Sequence, residues 1–271
     1  MPVISPDAFV PSAANDAQRA TLPPLLREQV RRLERAHSVQ RAGRSAAPLG
    51  IPAIDALLPD GGLLTGALHE IEAGPGPSGR VAAHDGAALG FTAHMLSRFG
   101  AGTILWCRQP MGAFDAPPYL PTLANWFDPA RLLMITARRE EDLFWAMEEG
   151  LRAGLAAVVG ETRAADPTAG RRLSLAAEKN GVPALLLRPQ PAPPQSVCTT
   201  RWRVSSAPSS DNEELGLARW QVELRRNRFG TPSIEEMPSW LLEWNDETHH
   251  LSLVPQALPG SAGPVRQRLA G

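Results

Sequence analysis

Continuous apolar runs alternate with segments of helical periodicity, and this alternation constrains the fold more than any other feature of the sequence. The apolar runs lie in "GTILWCRQP", "LAAVVGE" and "VPALLLRPQ", and they are separated by "REEDLFWAMEEGLRAG" and "PTAGRRLSLAAEKNG". A strand buried on both faces is apolar throughout, and parallel strands need a helical crossover between them. The sequence therefore predicts an α/β fold with a mostly parallel central sheet flanked by helices.

The pattern changes in the C-terminal third of the chain. "TTRWRVSSAPS" and "ARWQVELRRNRFG" alternate apolar and polar residues, so that Trp220, Val222 and Leu224 share one face of a strand. "SWLLEWNDETHHLSLV" resembles a hairpin that turns at Asn245–Asp246. Such alternation is typical of half-exposed antiparallel strands, and these strands are expected to extend the sheet.

Three regions follow from these patterns and from the clustering of proline and glycine. Residues 1–45 are predicted to be a disordered leader, an amphipathic helical arm and a linker. Residues 46–255 are predicted to form the core domain, and residues 256–271 a flexible tail that is too poor in apolar residues to build a core.

The arm is the segment "LPPLLREQVRRLERAH", from Leu22 to His37. Its apolar residues recur at helical spacing, and they are Leu22, Leu26, Val30 and Leu33. Two interpretations stay open: a helix packed on its own domain, or an arm that docks on another subunit or protein. The next segment, "SVQRAGRSAAP", is typical of a flexible tether.

Charge and cysteine content exclude several classes of function. The formal net charge of −1 provides no general attraction to DNA or to an anionic membrane. The two cysteines lie far apart and the six histidines form no metal-binding pattern. The segment "MPVISPDAFVPSAANDAQ" lacks the basic start and apolar run that are typical of a signal peptide, and no apolar run approaches the ~20 residues of a membrane span. We therefore expect a cytoplasmic protein that is not at a membrane and holds no metal.

A loop between a strand and a helix has the spacing of a phosphate-binding loop without its chemistry. In "HEIEAGPGPSGRVAAHDGAAL", Gly74 and Gly79 match the glycines of G-x-x-x-x-G-K-[ST]. Arg80 stands in place of the lysine that contacts phosphate, and Val81 in place of the hydroxyl that ligates Mg²⁺. The loop is interpreted as vestigial.

The acidic residue that would hold magnesium or its water belongs at the end of an apolar strand. The run "LAAVVG" ends in Gly160, with Glu161 one place later, and "TILWCRQP" ends in Arg108, Gln109 and Pro110. Phosphoryl transfer depends on charge neutralisation, so loss of the metal ligands removes most of the catalysis. The sequence thus predicts no catalytic residues and no cofactor.

Several motifs together resemble a known family. These are "LPDGGLLTGALHEIEAGPGPSGR", "VPALLLRPQ", "RWRV" and "RWQVELRRNRFGTP". They are similar to a RecA-type core, and more closely to ImuA, the RecA-related family of bacterial mutagenesis cassettes, which itself resembles the SulA inhibitors of cell division. The resemblance covers about residues 22–255, and it implies a RecA-like fold with a degenerate nucleotide loop.

The resemblance also implies a function. An ImuA-type protein would be a non-enzymatic adaptor in DNA-damage-induced (SOS) mutagenesis and translesion synthesis. Its partners would be ImuB, an inactive relative of the Y-family polymerases, an error-prone replicative-type polymerase, and RecA. The loops that touch DNA in RecA-type proteins correspond to "ETRAADPT" and "PQPAPPQSVCTT", which are scarcely basic, so DNA contact is expected to be weak or indirect at most.

Two alternatives and one further contact site remain open. The chain could be an ATP-dependent DNA-processing protein in which Arg80 replaces the lysine, or a SulA-like inhibitor of cell division. The basic run Arg225, Arg226 and Arg228, with Phe229, could meet phosphates or an acidic partner, or could be a solvated strand end. Together with the arm, this run is the candidate partner-binding surface.

Overall fold

The computed structural model describes residues 45–75, 86–110, 117–163, 166–189, 196–209, 217–229 and 238–255. The predicted arm, residues 79–81 of the loop and the tail from residue 256 lie outside these ranges. Among the described residues, no helix has the length and apolar character needed to cross a bilayer.

Eleven strands are present in the described ranges. In chain order they are β1 (Ala46–Ala47), β2 (Leu63–Leu64), β3 (Leu68–Ala73), β4 (Ile104–Arg108), β5 (Leu132–Thr136), β6 (Ala157–Glu161), β7 (Ala184–Arg188), β8 (Thr200–Ala207), β9 (Ala218–Asn227), β10 (Ser239–Asn245) and β11 (His250–Leu253).

Five α-helices are described between these strands. They are α1 (Pro52–Asp55), α2 (Gly86–Arg98), α3 (Leu120–Leu123), α4 (Glu140–Arg152) and α5 (Pro167–Asn180), with short 3-10 turns at Pro59–Gly61 and Pro129–Arg131. The ends of α5 follow from its sequence. Asp166 caps the first turn, with its carboxylate accepting from the Thr168 amide at 2.8 Å, and Gly181 ends the helix with φ +68°.

Nine of the strands form one sheet in the order β11-β10-β9-β8-β3-β7-β6-β4-β5. The six strands from β8 to β5 in this order are parallel to one another, whereas β9, β10 and β11 are joined to β8 and to each other by antiparallel pairing. The prediction of a mostly parallel sheet flanked by helices is confirmed.

Two details of the sequence prediction are corrected. The segment "TTRWRVSSAPS", expected to be antiparallel, forms β8, which runs parallel to β3 and is antiparallel only to β9. The last hairpin turns at residues 246–249, because Asn245 still pairs with His250 as the final residue of β10. In both cases the apolar pattern specified the strand and its buried face, but not the pairing at its edges or ends.

The sheet separates two hydrophobic cores. On one face, called here the α2 face, α2 packs on β8, β3 and β7, and four tryptophans are buried there: Trp202, Trp220, Trp240 and Trp244. On the other face, called the α4–α5 face, α4 covers β4 and β6 while α5 covers β3 and β7. Both cores therefore support the central parallel strands.

The α2 face also holds a cluster of stacked aromatic rings. Trp126 stacks on Trp244 with ring centroids 3.6 Å apart, and Trp220 lies 6.0 Å from Trp126. Gly90 of α2 faces this cluster, because a β-carbon there would lie 2.6 Å from the Trp220 ring. The glycine thus allows α2 to pack directly against the aromatic rings.

Candidate functional site

In open α/β sheets, ligands bind at the carboxyl ends of the parallel strands. Here that edge is formed by β3, β4, β6 and β7, and it carries the strand that precedes the predicted nucleotide loop. Gly79, Arg80 and Val81 lie outside the described residues. The site is therefore defined by the strand ends and by Gly74.

Gly74 has a structural role at the start of the loop. Its amide donates to the carbonyl oxygen of Val204 at 2.7 Å, which extends the pairing of β3 with β8. A β-carbon on Gly74 would lie 3.1 Å from side-chain atoms of both Arg203 and Ser205. The glycine is explained by close packing against β8, and its amide is already used within the sheet rather than directed at an anion.

The expectation that no carboxylate ends an apolar strand was wrong. Glu161 is the last residue of β6, because the ladder continues to it on both sides, opposite Arg108 of β4 and Leu187 of β7. Its side chain is buried on the α2 face, in the same alternation as Val159. The strand end where a magnesium-binding acid belongs therefore does carry an acid.

This carboxylate is held by protein groups. The indole Nε1 of Trp106 donates to Glu161 Oε1 at 2.5 Å, and the Nε of Arg108 lies 3.7 Å from Oε2. Arg108 and Glu161 are both buried, so their charges attract each other with little screening by solvent. A fixed guanidinium next to the carboxylate repels a second cation.

The described residues at these strand ends do not fit a magnesium–nucleotide site. The one buried acid at these strand ends on the α2 face already has a cation beside it, and the glycine amide at the loop start is used by β8. Within the described ranges, no group of three histidine, cysteine or acidic side chains is arranged to hold a metal ion.

A second charged cluster lies on the α4–α5 face of the same strands. Arg201 of β8 bridges two glutamates of β3, with its Nε 3.0 Å from Glu70 Oε2 and 3.4 Å from Glu72 Oε1. Arg188 of β7 approaches Glu70 at 3.6 Å, and Arg203 approaches Glu72 at 3.4 Å. Burial lowers the pKa of Arg188, and the charge of Glu70 opposes that effect.

This cluster ties three adjacent strands together by charge. The two glutamates and three arginines belong to β3, β7 and β8, and the glutamates are almost fully buried. Each buried carboxylate contacts at least one guanidinium, which is the condition under which buried charges are tolerated. We interpret the cluster as a structural clamp.

The predicted basic surface does not converge on one point. Arg225 contacts Glu223 at 3.3 Å, and Arg226 donates to the carbonyl oxygen of Cys198 at 3.1 Å. The guanidinium of Arg228 lies 5.1 Å from the ring centroid of Phe229. These four side chains lie at the end of β9 and beyond it, but each cation interacts with a different neighbour.

The sequence analysis did not identify an exposed aromatic residue on α4. Trp145 of α4 is 62% exposed, whereas its neighbour Phe144 is buried. The signal was present in the sequence, because two adjacent large aromatics on a helix cannot both face the same core. Large exposed aromatics are candidates for contact with another surface.

Comparison with known proteins gives one clear similarity. The chain is 35% identical over 214 residues to Protein ImuA of Caulobacter vibrioides strain NA1000, and the match covers 74% of this chain and 84% of that protein. Protein ImuA from a second Caulobacter vibrioides strain, ATCC 19089, matches to the same extent. No protein-family model matches the chain.

Proposed function

Because the chain belongs to the ImuA family, we propose that it is a non-catalytic adaptor in DNA-damage-induced mutagenesis. In this role the chain acts by binding other proteins rather than by turning over nucleotide. The observation that carries the proposal is the buried contact of Glu161 with Trp106 and Arg108, which occupies the acid that metal-dependent phosphoryl transfer would need.

The proposal includes a RecA-like core with a degenerate nucleotide loop. In its support, the loop that starts at Gly74 leads from β3 into α2, and β3 lies inside the sheet between β7 and β8. A helix that follows such a loop would direct its N-terminus towards a bound phosphate. In this chain Arg80 and Val81 stand at the positions where such a loop has lysine and a hydroxyl residue, so the proposed loop lacks the usual ligands of phosphate and Mg²⁺.

The partners follow from the family. We propose that the chain binds an ImuB-type inactive polymerase and an error-prone replicative-type polymerase, and that it is linked to RecA, with DNA contact weak or indirect. The proposed contact residues are those of the arm, Leu22, Leu26, Val30 and Leu33, and those beyond β9, Arg225, Arg226, Arg228 and Phe229. The tail is the remaining candidate surface.

Co-purification with the ImuB-type partner tests this proposal. Replacing Arg225 and Arg228 together by glutamate should weaken the complex about tenfold, since loss of about 1.4 kcal/mol at an interface has that effect. Deleting residues 1–44 or residues 256–271 should weaken it as well. The measurement is the equilibrium dissociation constant of the purified pair.

Arg171→Glu is the matched control, because Arg171 is an exposed arginine on α5, an element that carries none of the proposed contact residues. Its complex should form with unchanged affinity. If both deletions and the double charge reversal bind like the original chain, the proposed surfaces are wrong. If the original chain itself does not bind the partner, the adaptor role is wrong.

A further inference from the structure

The nine-stranded sheet ends at β5, and the outer side of this strand is open within the described ranges. There β5 pairs with β4 alone, and that pairing runs without a register shift. Its sequence, "LLMIT", has no charge, no proline and no glycine. Edge strands are usually protected by charged side chains, proline or a bulge, because an open row of backbone groups pairs readily with another strand. β5 lacks these protections.

The hydrogen bonds of β5 show which of its backbone groups point outwards. The Ala137 amide donates to the carbonyl oxygen of Arg108 at 2.9 Å, so residue 137 faces β4. Successive residues of a strand face opposite sides, and the amide and carbonyl groups of one residue point the same way. The residues that direct both groups away from the sheet are therefore Leu132, Met134 and Thr136.

The side chains of β5 are also only partly covered. Every residue of β4 is buried, whereas no residue of β5 is, and Leu133 is 52% exposed. Leu132 and Met134 pack partly against the core on the α2 face, while Ile135 packs partly against the core on the α4–α5 face. Both cores therefore end in half-covered side chains at this strand, and a strand added here would extend both of them.

The opposite edge of the sheet has a different character. β11 has four residues, and two of its three exposed side chains are polar, those of His250 and Ser252. The turn before β11 exposes Asp246 and Glu247. Polar and charged groups at an edge discourage strand addition. Pairing of β5 with β11 of another copy, which would build an open filament, is therefore disfavoured.

β5 is complementary to itself when two copies run antiparallel. With a two-fold axis at Met134, this residue faces Met134 of the second copy, and Leu132 faces Thr136. These are the residues whose backbone groups point outwards, so each pair can exchange hydrogen bonds.

The side chains next to these pairs agree with the same register. Leu133 would face Ile135 of the second copy, which brings two apolar side chains together on the α4–α5 face. Just outside the strand, Arg131 would face Ala137. Like charges therefore do not meet across the strand pair.

We propose that two copies of the chain associate through β5, paired as antiparallel strands about a two-fold axis at Met134. The two sheets then form one continuous sheet, and the symmetry is closed. The inference concerns the chain alone and does not rest on the proposed function, which is tested by binding to a different protein.

Sedimentation equilibrium of the full-length chain tests the proposal, and the original chain should sediment as a dimer. Met134→Pro removes an outward amide and leaves the pairing with β4, because proline is tolerated where the N–H faces away from the neighbouring strand. Met134→Ala is the matched control, since it shortens the same side chain but keeps the amide. The dissociation constant of the dimer should be at least tenfold higher for the proline variant than for the alanine variant.

Leu133→Lys gives a second variant that does not alter the backbone. Leu133 is exposed, so the chain should fold, but the lysine would meet Ile135 of the second copy and weaken the dimer at least tenfold. Leu175→Lys is its control, because Leu175 is 57% exposed on α5 and should tolerate the charge without effect on the dimer. A chain that is monomeric at every concentration, or a dimer that neither β5 variant weakens, would overturn the proposal.

Disulfide formation between copies tests the register. In the proposed dimer the β-carbons of Leu133 and Ile135 from opposite copies lie about 5 Å apart, whereas two copies of the same residue lie about 7–8 Å apart. A mixture of Leu133→Cys and Ile135→Cys chains should therefore form linked dimers faster than either variant alone. Cys107 and Cys198 do not interfere, because they are buried and burial raises the pKa of each to about 12. Equal rates would overturn the antiparallel pairing at Met134.

Discussion

Lowering the pH from 7 to 5 should reduce the free energy of unfolding by roughly 4 kcal/mol through two buried histidines alone. Burial lowers the pKa of His69 and of His94 from 6.5 to about 4. Each histidine then costs about 1.4 kcal/mol for every pH unit below its unfolded pKa, which gives roughly 2 kcal/mol each at pH 5.

The surroundings of His69 explain why it stays neutral. Its Nε2 donates to the carbonyl oxygen of Leu64 at 2.9 Å, so in the neutral ring Nδ1 accepts from the Thr200 hydroxyl at 2.8 Å. The Thr200 oxygen in turn accepts from Trp202 Nε1 at 2.8 Å. Protonating the ring would place a second proton between Nδ1 and a hydroxyl that already donates to it.

His94 is neutral for a similar reason. Its burial is the main cause of the lowered pKa, and the neighbouring Arg98 and His250 add to the effect, while the hydrogen bond from Nε2 to Leu49 O at 2.8 Å opposes it. Its ring packs edge-on against Trp126, with centroids 5.4 Å apart. Protonation would place a positive charge in this buried site, close to Arg98.

The direction of the pH effect follows from proton uptake on unfolding. Between pH 6.5 and about pH 4 the unfolded chain binds more protons at these two residues than the folded chain does. The stability that they contribute is complete above pH 6.5 and is lost as the pH falls towards 4. Acid therefore destabilises the fold in that window.

Urea unfolding at a series of pH values measures this effect. His69→Gln should lower the stability at pH 7 but reduce the histidine-dependent loss between pH 7 and 5 by about half, or roughly 2 kcal/mol. The control is His249→Gln, because His249 is exposed in the turn after β10. An unchanged pH dependence in the His69 variant would show that this histidine does not resist protonation in the fold.

Arg108→Met should be among the most destabilising single substitutions in the sheet, at about 3–5 kcal/mol. The methionine fills a similar volume but leaves the buried carboxylate of Glu161 without its guanidinium neighbour. The exposed pair of Arg139 and Asp142 gives a matched control, since Arg139 is 71% exposed and such pairs contribute about 1 kcal/mol at most.

A double variant separates charge from packing. Combining Arg108→Met with Glu161→Gln removes both charges and keeps an amide oxygen that can accept from Trp106. Its stability to urea should exceed that of Arg108→Met alone, because no uncompensated carboxylate remains. The free energy of unfolding should fall much more in Arg108→Met than in Arg139→Met. Equal losses of stability in the two variants would mean that the buried contact with Arg108 does not hold Glu161 in place.

The sequence predicted most of the fold because burial and strand patterning are local signals. Runs such as "LAAVVGE" are apolar on both faces, and this property requires covering helices on each side. Strand direction is not encoded in the same way. β8 alternates like an antiparallel strand because one of its faces is charged, yet those charged residues, Arg201 and Arg203, point at the glutamates of parallel β3.

The end of β6 was mispredicted for a related reason. A charged residue after an apolar run marks the usual end of a buried strand, so Glu161 was placed outside it. The neighbouring strand supplies Arg108 and Trp106, which make burial of the carboxylate possible. Only the sheet order brings these residues together, since β4 and β6 are separated in the chain by β5 and α4.

Phosphate release from magnesium-ATP shows whether the strand-end carboxylate of Glu161 supports nucleotide turnover. The full-length chain is measured with and without single-stranded DNA, next to an Arg80→Ala variant. If the contacts with Arg108 and Trp106 keep Glu161 from binding magnesium, the original chain and the Arg80→Ala variant should release phosphate at the same background rate, with or without DNA. DNA-stimulated turnover that disappears in the Arg80→Ala variant would show that the loop is catalytic and that the protein is an ATPase.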